Sequence, residues 1–123
     1  MEQGFVKVAS ATPRIRVADP VYNAQVICEQ AKEAAEHGAK IVVFPELCIT
    51  GYTCNDLFLQ ELLLEKAKEA LLTIAEETGQ LETLFLVGLP VDKDGRLYNV
   101  AAVLYRGRIL GMIPKKNIPM YAE

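Results

Sequence analysis

The stretch KIVVFPELCITGY, residues 40–52, decides how this chain is expected to fold. It opens with a lysine and four apolar residues, and short apolar runs of this kind are typical of strands covered on both faces of a sheet. A proline and an acid, Glu46, follow, and the loop is predicted to continue to residue 55. Strands of α/β sheets carry functional groups just beyond their carboxyl ends. Glu46 is therefore either a catalytic carboxylate at the mouth of a sheet or an ordinary solvated acid.

Helices and strands alternate on both sides of this strand. Asp19 can cap a helix that Pro20 begins, and Gly38 can take the left-handed conformation beyond its last turn. The predicted elements are a strand at 4–11, a helix from Asp19-Pro20 to His37-Gly38, strands at 40–44, 83–89, 96–105 and 108–113, and a second helix that ends near Thr78. The first three strands alternate with helices and the last three form a meander. This order, β-α-β-α-β-β-β, predicts an α/β fold with a mixed sheet.

Composition excludes several classes of function. The net charge of −3, with basic residues scattered among 16 acids, leaves no basic face for nucleic acid. The sequence contains no run of about 18 apolar residues, so it predicts no membrane span, and the first residues do not resemble a signal peptide. Three cysteines without CxxC spacing argue against a disulfide framework and against a structural metal site. We therefore expect a cytoplasmic protein with reduced thiols.

Lys115 and Lys116 are the next candidates for chemistry, because they follow the end of the last predicted strand. A lysine beside a carboxylate can stabilise the negative charge that develops on a carbonyl oxygen. The alternative is a pair of exposed lysines in a loop. The position of the two lysines alone does not decide between a catalytic lysine and a pair of exposed lysines.

The cysteines are weaker candidates. Cys54 precedes a predicted helix start, where the helix dipole lowers a thiol pKa. Cysteine nucleophiles usually act with a histidine, however, and the single histidine, His37, lies at the carboxyl end of the first predicted helix. Cys48 is a still weaker candidate, and Cys28 lies on the apolar face of that helix and is expected in the core.

Three long segments, in this order and at this spacing, resemble the first half of the carbon–nitrogen hydrolase (nitrilase) superfamily. They are KIVVFPELCITGY at 40–52, LFLVGLPV at 84–91 and GRLYNVAAVLYRGRILGMIPKKNIPMY at 95–121. The resemblance implies that the chain forms part of an α-β-β-α sandwich. GYTCNDLFLQ at 51–60 and IPKKNIPMYAE at 113–123 are most similar to the glutaminase domain of glutamine-dependent NAD+ synthetases.

This resemblance implies a Glu-Lys-Cys catalytic triad. Glu46 matches the general base, Lys115 matches the lysine that faces the tetrahedral oxyanion, and Lys116 is its neighbour. Tyr52 and Tyr121 match positions that line the glutamine pocket. The nucleophilic cysteine of the family lies well downstream of the lysine, whereas this chain ends eight residues after Lys115. The resemblance therefore implies that residues 1–123 are the N-terminal part of a glutaminase domain and are inactive alone.

The parent protein implied by the resemblance hydrolyses L-glutamine and passes ammonia to deamido-NAD. No cofactor is expected in the glutaminase domain, whereas ATP and Mg would bind to the synthetase domain. The expected partners are glutamine, the rest of the polypeptide and further copies in a homo-oligomer. We also expect one apolar face of the sheet to be exposed where the second half of the domain would cover it. Two alternatives stay open, a stand-alone nitrilase-type amidase and a non-catalytic α/β domain that serves binding or assembly.

Overall fold

The computed structural model describes residues 7–16, 19–45, 48–50 and 57–118, with the backbone alone at 57–60 and 115–118. The described elements are β1 (Val8–Ser10), α1 (Pro20–Glu36), β2 (Ile41–Val43), α2 (Leu57–Glu77), β3 (Leu84–Lys93), β4 (Arg96–Tyr105) and β5 (Arg108–Ile118). The predicted order of helices and strands is confirmed. No helix among the described residues is both long enough and apolar enough to cross a membrane.

The described strands form one mixed sheet in the order β1-β2-β3-β4-β5. β1 and β2 are parallel, as are β2 and β3, whereas β3, β4 and β5 are successively antiparallel. Parallel neighbours need a crossover, and right-handed crossovers that advance in one direction place both helices on the same face of the sheet. The mixed α/β fold expected from the sequence is therefore confirmed.

The first helix begins and ends at the residues that the sequence indicated. The carboxylate of Asp19 accepts a hydrogen bond from the backbone N–H of Tyr22 at 3.2 Å, and Pro20 is the first helical residue. His37 is the C-cap, and Gly38 follows with a φ of +88°. Glycine suits this position because it has no Cβ, and a Cβ makes a left-handed backbone costly.

The core lies between the sheet and the two helices. Its fully buried side chains come from both layers: Ile27, Leu71 and Ile74 from the helices, and Val42, Phe85, Val87, Leu89 and Leu104 from the strands. Alternation along the strands turns other apolar side chains to the opposite face, where Val8, Val43 and Ile113 are 58%, 39% and 50% exposed. An uncovered apolar sheet face, as expected from the sequence, is thus present among the described residues.

Two strands are longer than the sequence indicated. β3 continues to Lys93 and β5 to Ile118, whereas the predictions ended at residues 89 and 113. Both extensions pair with β4. Two-residue turns join β4 to its neighbours, Asp94-Gly95 to β3 and Arg106-Gly107 to β5, and φ is positive at all four residues. Such turns match the twist of a hairpin and therefore favour long ladders. The prediction that Lys115 and Lys116 follow the end of the last strand is wrong, because both belong to β5.

Candidate active site

The residues on either side of Glu46 are fixed to β3. The backbone N–H of Phe44 donates to the carbonyl of Leu86 at 2.9 Å, and that of Ile49 donates to the carbonyl of Gly88 at 3.1 Å. The Cys48 thiol contacts the same Gly88 oxygen at 3.7 Å. Glu46 lies outside the described residues. Its described neighbours therefore bring the chain to the middle strand of the sheet, just beyond the carboxyl end of β2.

Lys115 occupies a bulge of β5. Val100 of β4 pairs with Pro114 and Asn99 pairs with Lys116, so Lys115 is the extra residue between two consecutive pairs. A bulge bends its strand and increases the local twist, and bulges are over-represented beside active sites because they change the direction of a side chain. Lys115 is therefore left without a direct ladder partner on β4, and a second register shift does the same at Leu110 of β5.

A small cavity connects these two parts of the sheet. It has a volume of about 70 Å³, and its lining includes Phe44 and Pro45 after β2, Gly88 on β3, and Asn99 and Val100 on β4. Pro45 directly precedes Glu46 in sequence, and the two β4 residues pair with the residues that flank Lys115. Since neighbouring strands lie about 4.8 Å apart, β3 and β5 are separated by about 10 Å. Pro45, next to Glu46, and the β4 residues that pair on either side of Lys115 thus border one cavity, whereas Pro114 itself lines a different one.

Asn99 is the one polar residue of this lining, and sequence reasoning missed it. It is 1% exposed, on a strand whose neighbouring interior residues are apolar. A buried carboxamide normally serves a hydrogen-bonding role, because burying one without partners is costly. The signal was present in RLYNVAAVLY, residues 96–105, as a single amide within an otherwise apolar strand interior.

The other predicted site residues do not enter this geometry. Tyr52, Tyr121 and Cys54 lie outside the described residues, so their assignments stay predictions. Among the residues that the structure describes, no three His, Cys, Asp or Glu side chains are grouped so that they could hold a metal ion.

The two described thiols are unsuited to nucleophilic attack at neutral pH. Burial raises the pKa of the Cys28 thiol to about 11, and the carboxylate of Glu77 acts in the same direction. Burial likewise raises the pKa of the Cys48 thiol to about 11. Cys28 is 7% exposed and Cys48 is fully buried. The expectation that Cys28 is a core residue is confirmed.

Both thiols are therefore expected to resist alkylation in the folded protein. At about pH 8, three units below a pKa of about 11, only about one thiol in a thousand is ionised. Treatment with iodoacetamide, followed by peptide mass spectrometry, should leave Cys28 and Cys48 unmodified before unfolding and modified after it. Raising the pH toward the pKa should increase the thiolate fraction, so labelling should rise only in strongly alkaline buffer. Rapid labelling of either residue near neutral pH would contradict the burial described above.

Residues 7–121 match the family model of the carbon-nitrogen hydrolases. The match extends over nearly the whole chain, and it includes both the strand end before Glu46 and the bulge at Lys115. The chain therefore belongs to the carbon-nitrogen hydrolase family.

Two curated relatives that resemble the chain over nearly its whole length share one name. The chain is 38% identical, over 122 residues and 99% of its length, to the glutamine-dependent NAD(+) synthetase of Mycobacterium tuberculosis, of which it covers 18%. It is 33% identical, again over 99% of its length, to the enzyme of that name from Acinetobacter baylyi, of which it covers 22%. The chain thus spans about a fifth of the length of these curated relatives.

Solved structures agree with this assignment. A glutamine-dependent NAD(+) synthetase from Cytophaga hutchinsonii superimposes with a TM-score of 0.80 at 31% identity, over 90% of this chain and 19% of that one. An amidase from Nesterenkonia sp. superimposes with a TM-score of 0.72 at 24% identity, over 89% of this chain and 42% of that one, and at this identity shows the fold alone.

Proposed function

We propose that residues 1–123 are the N-terminal part of the glutaminase domain of a glutamine-dependent NAD+ synthetase. The parent protein would hydrolyse L-glutamine and supply ammonia for the ATP-dependent amidation of deamido-NAD. The main support from the geometry is the cavity that Pro45, next to Glu46, borders together with Asn99 and Val100, the β4 residues that pair on either side of Lys115. Similarity to synthetases over 99% of the chain supports glutamine as the substrate.

The proposed reaction is acyl transfer through a thioester. Glu46 takes the proton from a cysteine thiol supplied by the rest of the polypeptide, and the thiolate attacks the amide carbon of glutamine. The ammonium of Lys115 stabilises the oxyanion of the tetrahedral intermediate. As the C–N bond breaks, Glu46 returns the proton to the departing ammonia. Glu46 then takes a proton from water as the water oxygen attacks the thioester carbon. It gives that proton to the sulfur as the C–S bond breaks, which releases glutamate and regenerates the thiol.

The remaining parts of the proposal concern the whole protein. Tyr52 and Tyr121 would line the glutamine pocket, whereas ATP and Mg would bind only in the synthetase domain. The parent would be a cytoplasmic homo-oligomer in which the uncovered apolar face of this sheet meets the rest of the same domain. Residues 1–123 alone would be inactive, because the family resemblance implies that none of Cys28, Cys48 and Cys54 is the nucleophile. In agreement with this, the two described thiols, Cys28 and Cys48, are buried and protonated at neutral pH.

Ammonia release and NAD+ formation by the full-length protein test this proposal. With glutamine, deamido-NAD, ATP and Mg, we expect both products, and addition of ammonium chloride should replace glutamine in NAD+ formation. The 123-residue chain alone should release no ammonia. Hydrolysis of other small amides without NAD+ formation would favour the stand-alone amidase, and no amide hydrolysis at all would favour a binding domain. Ammonia release by the isolated chain would contradict its proposed inactivity.

A further inference from the structure

Asn23, near the start of α1, is a fully buried carboxamide whose polar atoms are all engaged. Its Oδ1 accepts a hydrogen bond from the backbone N–H of Arg16 at 2.6 Å. Its Nδ2 donates to the carbonyl of Arg16 at 2.7 Å and to the carbonyl of Ile49 at 2.7 Å. These partners also determine the orientation of the amide, since a flipped group would set its oxygen against two carbonyl oxygens.

The three hydrogen bonds join two loops at one edge of the sheet. Arg16 belongs to the segment that follows β1, and Ile49 belongs to the segment that follows β2. Because β1 and β2 are parallel neighbours, both segments leave the sheet at the carboxyl ends of their strands. This is the edge at which α/β folds place functional groups. Asn23 thus links these two loops by hydrogen bonds at the edge of the sheet formed by the carboxyl ends of β1 and β2.

Ile49 is held from two sides. Its N–H donates to Gly88 of β3, and its carbonyl accepts from Asn23. Glu46 precedes Ile49 by three residues, and Phe44 on the other side is also bonded to β3. A residue spans at most about 3.6 Å of chain, so the three residues from Glu46 to Ile49 span at most about 11 Å. The amide of Asn23 therefore holds Ile49, a residue close in sequence to the proposed base.

We propose that Asn23 is a positioning residue for Glu46 and acts through the backbone of Ile49. This inference rests on the proposed function, since it assigns Asn23 to the same glutaminase site. A general base must lie within hydrogen-bond reach of the proton that it abstracts. A displacement of about 1 Å can cost about 100-fold in rate even when its cause lies away from the reacting atoms.

Thr83 offers a matched control at the opposite edge of the sheet. Its hydroxyl donates to the carbonyl of Ala39 at 3.0 Å, and the residue is 3% exposed. The bond joins the chain just before β2 to the chain just before β3, at the amino ends of both strands. Thr83→Val removes a buried bond between a side chain and the backbone without touching the segment that carries Glu46.

The test compares Asn23→Ala with Thr83→Val in the full-length protein. For Asn23→Ala we expect kcat for glutamine hydrolysis to fall by about 10- to 100-fold, with KM changed by less than about threefold. NAD+ formation driven by added ammonium chloride should be unchanged. Thr83→Val should keep kcat for glutamine hydrolysis within about twofold of the parent value. An equal loss of kcat in both variants would overturn the proposal, because a general loss of stability would then explain it.

Hydrogen exchange provides a readout that does not depend on activity. The N–H of Ile49 should exchange faster in Asn23→Ala than in Thr83→Val, because only the first variant releases the carbonyl of Ile49. Unchanged exchange at Ile49, or faster exchange with unchanged kcat, would overturn the positioning role. If the unaltered protein did not hydrolyse glutamine, the proposed function would fail, whereas exchange would still decide whether Asn23 holds this segment.

A second variant covers the case in which Asn23→Ala does not fold. Asn23→Ser keeps a small polar side chain with one donor and an acceptor oxygen, so it can retain some of the hydrogen bonds between the two loops. Its kcat for glutamine hydrolysis should be reduced by about 10-fold, with ammonia-driven NAD+ formation unchanged. An Asn23→Ser protein that folds and keeps its full kcat would also overturn the proposal.

Discussion

Glu46→Gln in the full-length protein is expected to reduce glutamine hydrolysis by about 10²- to 10⁴-fold, the usual contribution of a positioned acid or base. The substitution keeps the size and shape of the side chain but removes its ability to accept and return a proton. The thiol would then stay protonated, and the departing amine would leave without its proton. Ammonia release from glutamine measures the loss, and NAD+ formation from added ammonium chloride should continue, because that reaction bypasses the glutaminase site.

Glu82→Gln is the matched control for this substitution. Glu82 lies just before β3, at the opposite edge of the sheet, with its side chain 69% exposed and 3.9 Å from the Arg106 guanidinium. An exposed ion pair of this kind contributes about 1 kcal/mol or less to stability, so glutamine hydrolysis should be unaffected. Full turnover in Glu46→Gln would remove Glu46 as the base, and the alternative of a solvated loop carboxylate would then hold.

The order of elements was predictable because local signals and the hydrophobic pattern agreed along most of the chain. Asp19 and Gly38 marked the ends of α1. The glycines at 95 and 107 predicted turns at residues 92–95 and 106–107, and the structure has turns at Asp94-Gly95 and Arg106-Gly107. These signals depend on backbone conformations that few residues adopt cheaply, so they can be identified without knowledge of the tertiary fold.

The extent of β5 was not predictable in the same way. Pro114 argued for the end of the strand, because proline cannot donate to a ladder and is confined to edges and bulges. In the structure Pro114 lies next to a bulge on the last strand of the described sheet, which is a position where proline is tolerated. The pairing with β4 that carries β5 to Ile118 depends on residues 97–100, and contacts of this range cannot be inferred from local propensity.

The role of Asn23 was hidden for a related reason. Asn23 lies four residues before Ile27, so it falls on the apolar stripe of α1, where a polar residue is unusual. That departure was the only signal in the sequence. Its partners, Arg16 and Ile49, are 7 and 26 residues away, and helical periodicity does not identify them. A polar residue on an apolar stripe indicates a buried hydrogen-bonding role but does not reveal what it holds.

Lys115→Met is expected to reduce kcat for glutamine hydrolysis by about 10²- to 10³-fold, the typical effect of removing one group that stabilises an oxyanion. Methionine keeps most of the length of the side chain but carries no charge, so the negative charge of the tetrahedral intermediate would lose its counterpart. Ammonia release from glutamine again measures the effect, and ammonia-driven NAD+ formation serves as the internal reference.

Lys116→Met is the sharpest control, because the two lysines are neighbours and differ in their place in the ladder. Lys116 pairs directly with Asn99, whereas Lys115 is the extra residue of the bulge. Lys116→Met should keep kcat within about twofold of the parent value, since the proposed role belongs to Lys115 alone. Loss of activity in Lys116→Met with full activity in Lys115→Met would move the role to the paired lysine. Equal loss in both would indicate that the charge of this strand segment matters rather than one ammonium. Only a selective loss at Lys115 agrees with a bulge that serves the chemistry of the site.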